Sequence, residues 1–578
     1  MGVAGASPIL PHTAIFCKIA AVEVANPSGI PVTNVSRDNP EKPQVIARQA
    51  SPSAKVPSGT MDSINFNLAL PFYDQALSNP LNLALHVADR SYSYGELAAL
   101  AGGAAAALGD ARKVAVLASR SIGAYVGVLA ADWSGAAYIP LSPTKLPDER
   151  LASILRIIRP DALVVDEAGA ARLTPALRAI APPLILDLSG DLDPLLCKSA
   201  KPPVFRKADD LAYILFTSGT TGVPKGVMIS LGSVAQFLDA MYLRVHPVPS
   251  DRISQTSELS FDVSVFEMFL AWGSGASAHV VPASRLMGPY QFIREQELTI
   301  WSSVPSIASF MRRIRMLEPG AFPTLRYSVF AGEALPYALA KAWQVAAPSS
   351  VVENLYGPTE ATIYCLGATV GSDFPPTPGR DTVPSGFPLP NLEAGVVDES
   401  FAFLLAGQVG QLVISGDQLA VGYYNEPELT RERFPMIDGK TWYLTGDLTR
   451  QDEFGVFHHL GRIDNQVKIF GQRVELEEVE AHLRSVSGSE DVVAVAWPII
   501  DGMVTGIVAF VSGVSQTPKE LLDLLRLKLP SYMLPRHIVQ LPELPLNPSG
   551  KVDRKALVES LKKSPAPEWK TARELETI

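Results

Sequence analysis

Short apolar runs alternate with longer mixed stretches along most of this chain, and the two patterns predict different elements. A short apolar run between polar residues is typical of a buried strand, whereas a longer run with helical spacing favours a helix. Strands that alternate with helices indicate a layered α/β architecture in which helices cover the sheets. We predict strands at 114–118, 162–166, 183–187, 211–216, 492–497 and 504–511, and helices at 122–134, 475–486 and 518–529.

Shifts in the same pattern divide the chain into regions. Prolines recur from Pro27 to Pro57 with little periodicity, so we predict that 1–60 is a linker from a preceding domain. The alternating strands and helices predict a large core over 61–463. A smaller α+β domain is predicted over 464–565, followed by a linker over 566–578.

Composition narrows the class of protein. The chain has 578 residues, of which 47% are hydrophobic and 19% charged, as expected of a globular protein with a large core. Its net charge of -10, without a long run of Lys or Arg, argues against nucleic acid as a partner. Cys17, Cys197 and Cys365 are too scattered for a disulfide framework or a zinc site. With no apolar run of about 18 residues and no secretory signal, we predict a cytoplasmic protein that does not contact membranes.

The most informative motif is a loop rich in glycine and hydroxyl groups, Thr217-Ser-Gly-Thr-Thr-Gly-Val-Pro-Lys-Gly226, after a predicted strand. Glycines let the backbone approach an anion, and hydroxyl and amide groups then donate to phosphate oxygens. The loop is not a Walker A motif, because Pro224 replaces the required glycine and Gly226 the required Ser or Thr. The loop therefore predicts phosphate binding of another kind, with a flexible surface linker as the structural alternative.

Further motifs follow this loop in a fixed order and, over roughly 61–565, resemble the adenylation domains of nonribosomal peptide synthetases. Those domains belong to the adenylate-forming superfamily of acyl-CoA ligases and luciferases. The resemblance implies a large adenylate-forming core with a small mobile C-terminal domain, and activation of an amino acid by ATP. The motifs are Phe261-Asp-Val-Ser264, Asn354-Leu-Tyr-Gly-Pro-Thr-Glu360, Tyr443-Leu-Thr-Gly-Asp447, Gly461-Arg-Ile-Asp-Asn-Gln-Val-Lys468, Leu529-Pro-Ser-Tyr-Met-Leu-Pro535 and Asn547-Pro-Ser-Gly-Lys551.

The resemblance also implies which residues bind ATP and Mg²⁺. Adenine would stack on Tyr356, and Asp447 would accept hydrogen bonds from both ribose hydroxyls. Glu360 would bind Mg²⁺, a cation that prefers carboxylate and phosphate oxygens. Outside this context Tyr356 would be a core aromatic and Asp447 a turn residue. The predicted ATP-binding residues are Thr217, Ser218, Gly219, Thr220, Thr221, Gly222, Lys225, Gly332, Glu333, Asn354, Tyr356, Thr359, Glu360, Asp447 and Arg462.

Two lysines are the catalytic residues that the resemblance implies. Lys551 would bridge the substrate carboxylate and the α-phosphate. Asp464 marks a hinge, and rotation there would replace Lys551 by the face that carries Lys468 for thioester formation. Phe470 stands where an arginine is common, which leaves the details of that face open.

The substrate side separates subfamilies. Asp262 matches the aspartate that pairs with the α-ammonium of an amino acid, and a helix cap is its structural alternative. The other predicted pocket residues are Val263, Phe266, Ser302, Val329, Ala331, Leu355, Ile363 and Tyr364. Most of them are apolar, which favours a large neutral amino acid. An aromatic residue or the acylated hydroxyornithine of a fungal siderophore would fit.

The resemblance implies partners as well. We expect a carrier domain in cis that supplies a phosphopantetheine thiol, an upstream condensation domain, and a monomer when the domain is excised. Two alternatives remain open: an acyl- or aryl-CoA ligase of the same superfamily, and a catalytically silent module. Asp262 argues against the first, and the presence of Lys551, Glu360 and Asp447 argues against the second.

Overall fold

Alternating burial along single strands produces the layers of this fold. In the strand Lys113–Leu117, Val114 and Val116 belong to one hydrophobic core, whereas Ala115 and Leu117 belong to another. Successive side chains of a strand point to opposite faces of its sheet, so this sheet is apolar on both faces and has to be covered on both.

The computed structural model describes residues 66–196, 201–219, 223–371, 375–500, 502–547 and 552–563. All of them fall in one compact unit that spans 59–578. The predicted linkers 1–60 and 566–578, the loop residues Thr220, Thr221 and Gly222, and Lys551 lie outside the described residues.

The large domain begins with helices that precede and connect the strands of its sheets. In chain order its first elements are α1 (Ala69–Ser78), β1 (Leu83–Val87), β2 (Arg90–Ser93), α2 (Tyr94–Leu108), β3 (Lys113–Leu117), α3 (Ile122–Ser134), β4 (Ala137–Leu141), α4 (Asp148–Ile158), β5 (Ala162–Val165), α5 (Glu167–Arg172), α6 (Pro175–Arg178), β6 (Leu184–Asp187) and α7 (Asp193–Leu196).

The second half of the large domain supplies most of the candidate site. Its elements are β7 (Leu211–Thr217), β8 (Lys225–Ser230), α8 (Leu231–Val245), β9 (Arg252–Gln255), α9 (Val263–Ser274), β10 (Ser277–Val280), α10 (Tyr290–Glu295), β11 (Ile300–Ser303), α11 (Pro305–Arg313), β12 (Tyr327–Ala331), α12 (Tyr337–Ala346), β13 (Val351–Tyr356), β14 (Leu366–Thr369), β15 (Phe387–Pro388), β16 (Leu392–Val397), β17 (Val409–Gly416), β18 (Gly422–Tyr423), α13 (Pro427–Arg433), β19 (Met436–Ile437), β20 (Lys440–Thr441), β21 (Tyr443–Gln451) and β22 (Phe457–Arg462).

Two large sheets and a smaller one organise these elements. One sheet has seven strands in the order β18-β8-β7-β4-β3-β5-β6, and the other has nine in the order β15-β14-β13-β12-β11-β9-β10-β1-β2. The largest core joins both sheets to helices α1, α2, α3, α8 and α9 between them. Strands β16, β17, β21 and β22 form an antiparallel four-stranded sheet. Strands β9, β11, β12 and β13 run parallel, so their carboxyl ends meet at one edge, where ligands bind in open α/β sheets.

The smaller C-terminal domain has cores of its own. Its elements are β23 (Gln466–Ile469), β24 (Gln472–Glu475), α14 (Leu476–Ser487), β25 (Val492–Ala496), β26 (Ile499–Ile500), β27 (Met503–Val504), β28 (Ile507–Ser512), α15 (Pro518–Arg526), β29 (His537–Leu541) and α16 (Arg554–Lys563). Strands β25, β28 and β29 form one sheet, which has a separate hydrophobic core on each face.

Most predicted elements are confirmed, with two corrections in the small domain. The run 504–511 is interrupted, because Thr505 and Gly506 lie between β27 and β28 and belong to neither strand, although they exchange backbone hydrogen bonds with Pro498 and Trp497. The predicted helix 518–529 ends at Arg526, three residues earlier than expected. Within the described part of the chain, no helix has both the length and the apolar character needed to cross a bilayer.

Candidate active site

The phosphate loop connects two antiparallel strands of the seven-stranded sheet. Strand β7 ends at Thr217, which lies opposite Lys225 at the start of β8. Gly219 is required here by close contact, since a Cβ at this position would lie 2.1 Å from the carbonyl oxygen of Val223. Ser218 is buried and Lys225 is half-buried, and the Lys225 side chain lies against Gly219, since the same Cβ would be 3.3 Å from Lys225 Cε.

The small domain bonds directly to this loop. The Gly219 amide donates to Glu478 Oε2 at 3.0 Å, and the Ser218 hydroxyl donates to the Arg473 carbonyl oxygen at 3.1 Å. Glu478 is fully buried on α14 and forms an ion pair with Arg150 of α4. The Gly219 amide, which the sequence predicts to bind phosphate, thus donates its hydrogen bond to a carboxylate of the small domain.

Glu360 lies beside the loop in a short 3₁₀ helix, Thr359–Ala361, and is almost completely buried. The Tyr423 hydroxyl donates to its Oε1 at 2.8 Å, and Arg473 Nη1 lies 2.9 and 3.1 Å from its two oxygens. Burial favours the neutral carboxyl, but Arg473 and Tyr423 outweigh it and hold the pKa of Glu360 below its ordinary value. The carboxylate is therefore ionised and able to meet a cation.

The chemistry of this corner fits Mg²⁺ bound together with a phosphorylated substrate. Among the described residues, no three His, Cys, Asp or Glu side chains cluster as a metal site. Mg²⁺ is commonly held by one or two carboxylates plus substrate phosphates, and an ionised Glu360 next to the phosphate loop supplies that arrangement.

The predicted adenosine residues converge on Asp447. Tyr356 ends β13 and donates its hydroxyl to Asp447 Oδ2, while Arg462 Nη1 donates to Oδ1 at 2.9 Å. His459 Nε2 lies 3.2 Å from the same oxygen. Burial disfavours the charge, but His459 and Arg462 hold the pKa of Asp447 well below its ordinary value. These four residues line a cavity of about 840 Å³ between the two domains.

Lys468 enters the same cavity from the small domain. Its Nζ lies 5.7 Å from the centre of the Tyr356 ring. Burial lowers the pKa of Lys468, and the carboxylates of Asp447 and Asp262 act in the opposite direction. Lys551, the other predicted catalytic lysine, lies outside the described residues. The described structure thus places Lys468, at the predicted thioester-forming face, against the adenosine residues.

Three other predicted residues are engaged in structural contacts around the cavity. The Asn354 side-chain amide donates to the carbonyl oxygens of Val383 and Pro384, at 3.3 and 2.9 Å. Glu333 accepts the amides of Ser306 and Gly471, at 3.0 and 2.9 Å, and so fastens the turn of the β23–β24 hairpin to the large domain. Asp464, the predicted hinge residue, accepts two bonds from Arg462 at 2.6 and 2.7 Å.

Phe470 occupies the turn of that hairpin with φ of +49°, in the left-handed region. Its ring packs against the core of the small domain that contains Ile469 and Val474. The residue that departs from the common arginine therefore supports the hairpin beneath Lys468.

Asp262 lies where the loop after β9 enters α9. Asp262 occupies the N-cap position of α9, but its carboxylate makes no side-chain capping hydrogen bond to that helix, which argues against the alternative role as a helix cap. Burial raises the pKa of Asp262. The Thr359 hydroxyl and the Lys468 ammonium act to lower that pKa, but burial has the larger effect. The group is partly buried, and no ion pair within the described residues includes it.

The other predicted pocket residues come from α9, β11, β12, β13 and the turn after the 3₁₀ helix, and among them Leu355 lines the cavity of about 840 Å³. Ser302 lies beside Val329 across β11 and β12, and Ala331 beside Leu355 across β12 and β13. The rings of Phe266 and Tyr364 meet at a centroid distance of 5.6 Å, and Phe237 contacts both. The buried Tyr364 hydroxyl approaches Ser302 but makes no hydrogen bond of good geometry within the described parts of the chain. These predicted pocket side chains are therefore mostly apolar and aromatic, with one buried hydroxyl that is unsatisfied among the described residues.

A strained turn presents Ile363 and Tyr364 to this pocket. Thr362 and Ile363 have φ of +52° and +73°, which is rare for β-branched side chains. Gln418 holds the turn, since its Nε2 lies 2.9, 3.0 and 2.5 Å from the carbonyl oxygens of Ala361, Thr362 and Tyr364. The Thr362 hydroxyl donates back to the Gln418 carbonyl oxygen at 2.6 Å.

Sequence reasoning missed several residues of this site. His459 belongs to none of the predicted motifs. Its contact with Asp447 arises only from the pairing of β21 with β22. Arg473 and Glu478 come just after the predicted motif that ends at Lys468, but their partners lie more than a hundred positions earlier in the chain. Gln418 lies in a loop, and no local pattern signals its role.

Comparison with known proteins gives the family. The chain matches the family described as AMP-binding enzyme over residues 72–424, and the AMP-binding enzyme C-terminal domain over residues 478–551. Tyrocidine synthase 2 of Brevibacillus parabrevis is 34% identical over 498 residues, 84% of this chain and 13% of that protein. Malpinin synthetase of Mortierella alpina is 33% identical over 521 residues, 84% of this chain and 6% of that protein. The chain therefore spans only a small part of the length of these two relatives.

Two solved structures superpose on this chain over nearly all of their own length. The adenylation domain AlmE of Vibrio cholerae, in complex with glycyl-adenosine-5'-phosphate, superposes with a TM-score of 0.77 at 30% identity, covering 89% of this chain and 100% of that chain. IdnL7 superposes with a TM-score of 0.63 at 34% identity, covering 86% of this chain and 99% of that chain. The chain therefore belongs to the AMP-binding enzyme family, as an adenylation domain of the nonribosomal peptide synthetase type and an ATP-dependent amino-acid-adenylating ligase.

Proposed function

We propose that this chain activates a large neutral amino acid and transfers it to the phosphopantetheine thiol of a carrier domain. In the first step an oxygen of the substrate carboxylate attacks the α-phosphorus of ATP, and pyrophosphate leaves. In the second step the thiolate attacks the acyl carbon of the aminoacyl-AMP, and AMP leaves. The curated relatives are synthases many times longer than this chain, which supports a carrier domain in cis and an upstream condensation domain as partners.

The observation that carries the amino-acid assignment is Asp262. It is a partly buried carboxylate at the start of α9, the helix that carries the predicted pocket residues Val263 and Phe266, and it makes no capping hydrogen bond to that helix. An α-ammonium group placed there would form a charge-assisted pair. A substrate without the amine would leave the carboxylate unpaired, at a cost of about 3 kcal/mol or more. This selection favours an amino acid over a simple carboxylic acid.

The proposed roles in ATP binding follow from the geometry of the cavity. Tyr356 offers a ring face to adenine, and the ionised Asp447 accepts from the ribose hydroxyls. Gly219 and Lys225 bind the β- and γ-phosphates by an amide and an ammonium group. Binding in this way holds the α-phosphorus still for in-line attack.

Glu360 is the residue that would hold Mg²⁺. Mg²⁺ bound at Glu360 would neutralise negative charge on the phosphates of ATP. The Tyr423 hydroxyl orients the Glu360 carboxylate. The low pKa of Glu360 keeps this carboxylate ionised, and therefore able to bind a cation, at neutral pH.

The division of labour between the domains is also a proposal. We place the large core at 61–463 and the mobile small domain at 464–565, with Asp464 as the hinge. Separate hydrophobic cores on the two sides of this position support the division. Lys551 is assigned to adenylation and Lys468 to the thioester step, because Lys468 already lies against Tyr356.

The pocket supports a large side chain with limited polarity. Phe237, Phe266 and Tyr364 give it an aromatic boundary, and the unpaired Tyr364 hydroxyl favours a polar atom in the side chain. An aromatic amino acid or an acylated hydroxyornithine, as found in siderophores, meets both requirements.

The test is ATP–pyrophosphate exchange against a panel of amino acids, their des-amino acids and N-acylated hydroxyornithines. We expect exchange with one or a few large neutral amino acids and none with the matching des-amino acids. Exchange only with des-amino acids would show an acyl- or aryl-CoA ligase instead. A folded protein that binds AMP but exchanges with nothing in the panel would favour a silent module.

A further inference from the structure

A completely buried carboxyl group, that of Glu267, lies behind the predicted amino-acid site and has no role in the proposed function. Glu267 belongs to α9, the helix that begins directly after Asp262. Its side chain reaches back to the loop 256–262, which connects β9 to α9 and ends with Asp262. The helix that follows the proposed partner of the substrate amine thus also carries a group that bonds to the start of the same loop.

Glu267 closes this loop by bonding to its first two residues. Its Oε2 accepts the amides of Thr256 and Ser257, at 3.1 and 3.0 Å. The Thr256 hydroxyl lies 2.7 Å from Glu267 Oε1 and 2.9 Å from the carbonyl oxygen of Ser302, a predicted pocket residue of β11. One side chain therefore fixes the start of the loop that carries Asp262 and connects it to a second strand of the predicted site.

A separate set of contacts holds the middle of the loop. Glu258 pairs with Arg120 at 3.3 Å and accepts the Ser119 hydroxyl at 2.7 Å. Arg120 also donates to the carbonyl oxygens of Thr256 and Val281. Both Ser119 and Arg120 follow β3 of the seven-stranded sheet, so the loop is bonded to that part of the large domain as well as to α9.

The geometry around Glu267 favours a proton on its Oε1. The oxygens of Glu267, Thr256 and Ser302 form a chain with two gaps that are each short enough for a hydrogen bond, but the Thr256 hydroxyl supplies only one proton. A protonated Oε1 would fill the other gap by donating to Thr256, whose hydroxyl then donates to Ser302. Burial raises the pKa of Glu267 to about 7, although the bonds from the loop and the charge of Arg120 act to lower it.

The other titratable groups that face Glu267 come from three further segments. Arg120 of the segment after β3 is paired with Glu258. Tyr125 comes from α3, and Tyr364 from the turn that supplies predicted pocket residues. Burial raises the pKa of both tyrosines, and the charge of Glu267 adds to that effect. Both phenols therefore keep their protons at neutral pH, where the carboxyl of Glu267 can still exchange its own.

We propose that Glu267 is a positioning residue of the amino-acid site, which holds the loop that carries Asp262 and, through Thr256, the strand that carries Ser302. This proposal rests on the proposed function and deepens it, because it adds a residue that governs substrate binding without touching the substrate. Asp262 can pair with an α-ammonium group only at the right distance, and small misplacements of a binding group are costly. Loss of the Glu267 contacts should therefore weaken amino-acid binding and leave the nucleotide site intact.

The test is pyrophosphate exchange at pH 6, below the pKa of Glu267, with kinetic constants measured separately for the amino acid and for ATP. Glu267→Met keeps a side chain of similar size but removes the acceptor of two buried amides. We expect KM for the amino acid to rise about tenfold or more, with KM for ATP unchanged and kcat within about threefold of the wild type. A general loss of folded protein would lower kcat and leave KM as it was.

Glu267→Gln is the conservative variant. Its side-chain oxygen can accept the amides of Thr256 and Ser257, and its nitrogen can donate to the Thr256 hydroxyl, as the protonated carboxyl does. We expect its KM for the amino acid to stay within about twofold of the wild type at pH 6. A rise as large as that in Glu267→Met would overturn the proposed arrangement of hydrogen bonds.

Asp251→Leu is the matched control. Asp251 is a buried carboxylate at the other end of β9, where it accepts the Val248 amide at 2.8 Å and the Thr299 hydroxyl at 2.7 Å. We expect this variant to melt at a lower temperature than the wild type, with KM for the amino acid within about twofold of the wild-type value. An equal rise in KM would mean that loss of any buried carboxylate disturbs the site, and the inference would be overturned.

A second pair of variants decides the question if Glu267→Met does not fold. Thr256→Val removes the hydroxyl and should raise KM for the amino acid about threefold, whereas Thr256→Ser keeps the hydroxyl and should match the wild type. Equal KM values in this pair, or an unchanged KM in folded Glu267→Met, would refute the positioning role alone. A folded wild type that exchanges pyrophosphate with no amino acid would instead refute the proposed function, and this inference with it.

Discussion

The predicted substrate-binding residues differ in construction from the phosphate corner, by which we mean Ser218, Gly219, Lys225 and Glu360. The predicted substrate-binding residues are mostly apolar or aromatic and come from the large domain, although Lys468 of the small domain interacts electrostatically with Asp262. The phosphate corner is charged and is completed by Arg473 and Glu478 of the small domain. We therefore expect the large domain to set selectivity for the amino acid, and the contact between the two domains to affect the phosphate end of the reaction.

The strongest test of this contrast is removal of the only carboxylate assigned to the substrate amine. In Asp262→Asn we expect kcat/KM for the amino acid in pyrophosphate exchange to fall about 100-fold or more, since an ammonium without its charge partner costs about 3–5 kcal/mol. ATP affinity should not change. Asp239→Asn, an exposed carboxylate of α8, is the control and should behave as the wild type. An unchanged kcat/KM in Asp262→Asn would remove the basis for the amino-acid assignment.

A second prediction concerns the backbone that shapes the pocket. Gln418→Ala removes the hydrogen bonds that hold the strained turn at Thr362 and Ile363, each worth about 1 kcal/mol. We expect KM for the amino acid to rise about tenfold while KM for ATP stays constant. Gln408→Ala, which alters an exposed turn contact with Leu405, serves as the control. A parallel rise in both KM values would show that the pocket and the ATP site are not independent.

A smaller effect is expected from the unpaired hydroxyl in the pocket. Tyr364→Phe should lower the preference for substrates with a polar side-chain atom over apolar ones by about three- to tenfold, because a hydrogen bond contributes about 1 kcal/mol. Tyr138→Phe is the matched control, since its buried hydroxyl is likewise unpaired among the described residues but belongs to no predicted pocket position. Exchange rates across the substrate panel measure the preference. Equal shifts in both variants would contradict a role in selectivity.

The smallest effect concerns stability. Burial raises the pKa of Asp132 well above 3.8, against the nearby Arg206, and neither carboxylate oxygen has a partner in the described parts of the chain. The folded protein therefore keeps a proton that the unfolded chain releases, so stability falls as pH rises above about 3.8. We expect Asp132→Asn to be more stable by about 1–3 kcal/mol at pH 8.

The pH dependence is the decisive part of that experiment. The gain of Asp132→Asn in thermal unfolding should shrink as the pH is lowered through 3.8 and below, because the unfolded chain then also takes up the proton that the folded carboxyl keeps. A gain that is equal at both ends of this range would show that the buried charge is not its cause.

Local pattern correctly predicted the four strands and one helix that were assigned to the large domain, because short-range burial specifies them. The helix predicted at 122–134 matches α3, where Ser121 accepts the Ala124 amide and Gly135 ends the helix in the left-handed region. The small domain was predicted less well. Its predicted strand 504–511 is broken at Gly506, where the chain lies so close to Arg536 that a Cβ would come within 2.6 Å of Nε. That contact depends on tertiary structure, and no local pattern contains it.

The site divides in the same way. Residues that lie within one motif, such as Asn354, Tyr356 and Glu360, were identifiable together because they follow one strand and its turn. Arg473 and Glu478 were not assigned a role, since a charged residue after a β-hairpin is ordinarily solvent-exposed. Only the docking of two domains reveals that their partners are Glu360 and Gly219.

The turn at Thr362 and Ile363 has a consequence for attempts to change what this enzyme accepts. The side chains that line the pocket can be copied into another adenylation domain, but the positive φ angles that aim them are maintained by Gln418, more than fifty positions further along the chain. A graft limited to the lining residues would transfer the rings without their orientation. Transplanted selectivity should therefore require the loop that carries Gln418 to travel with the pocket.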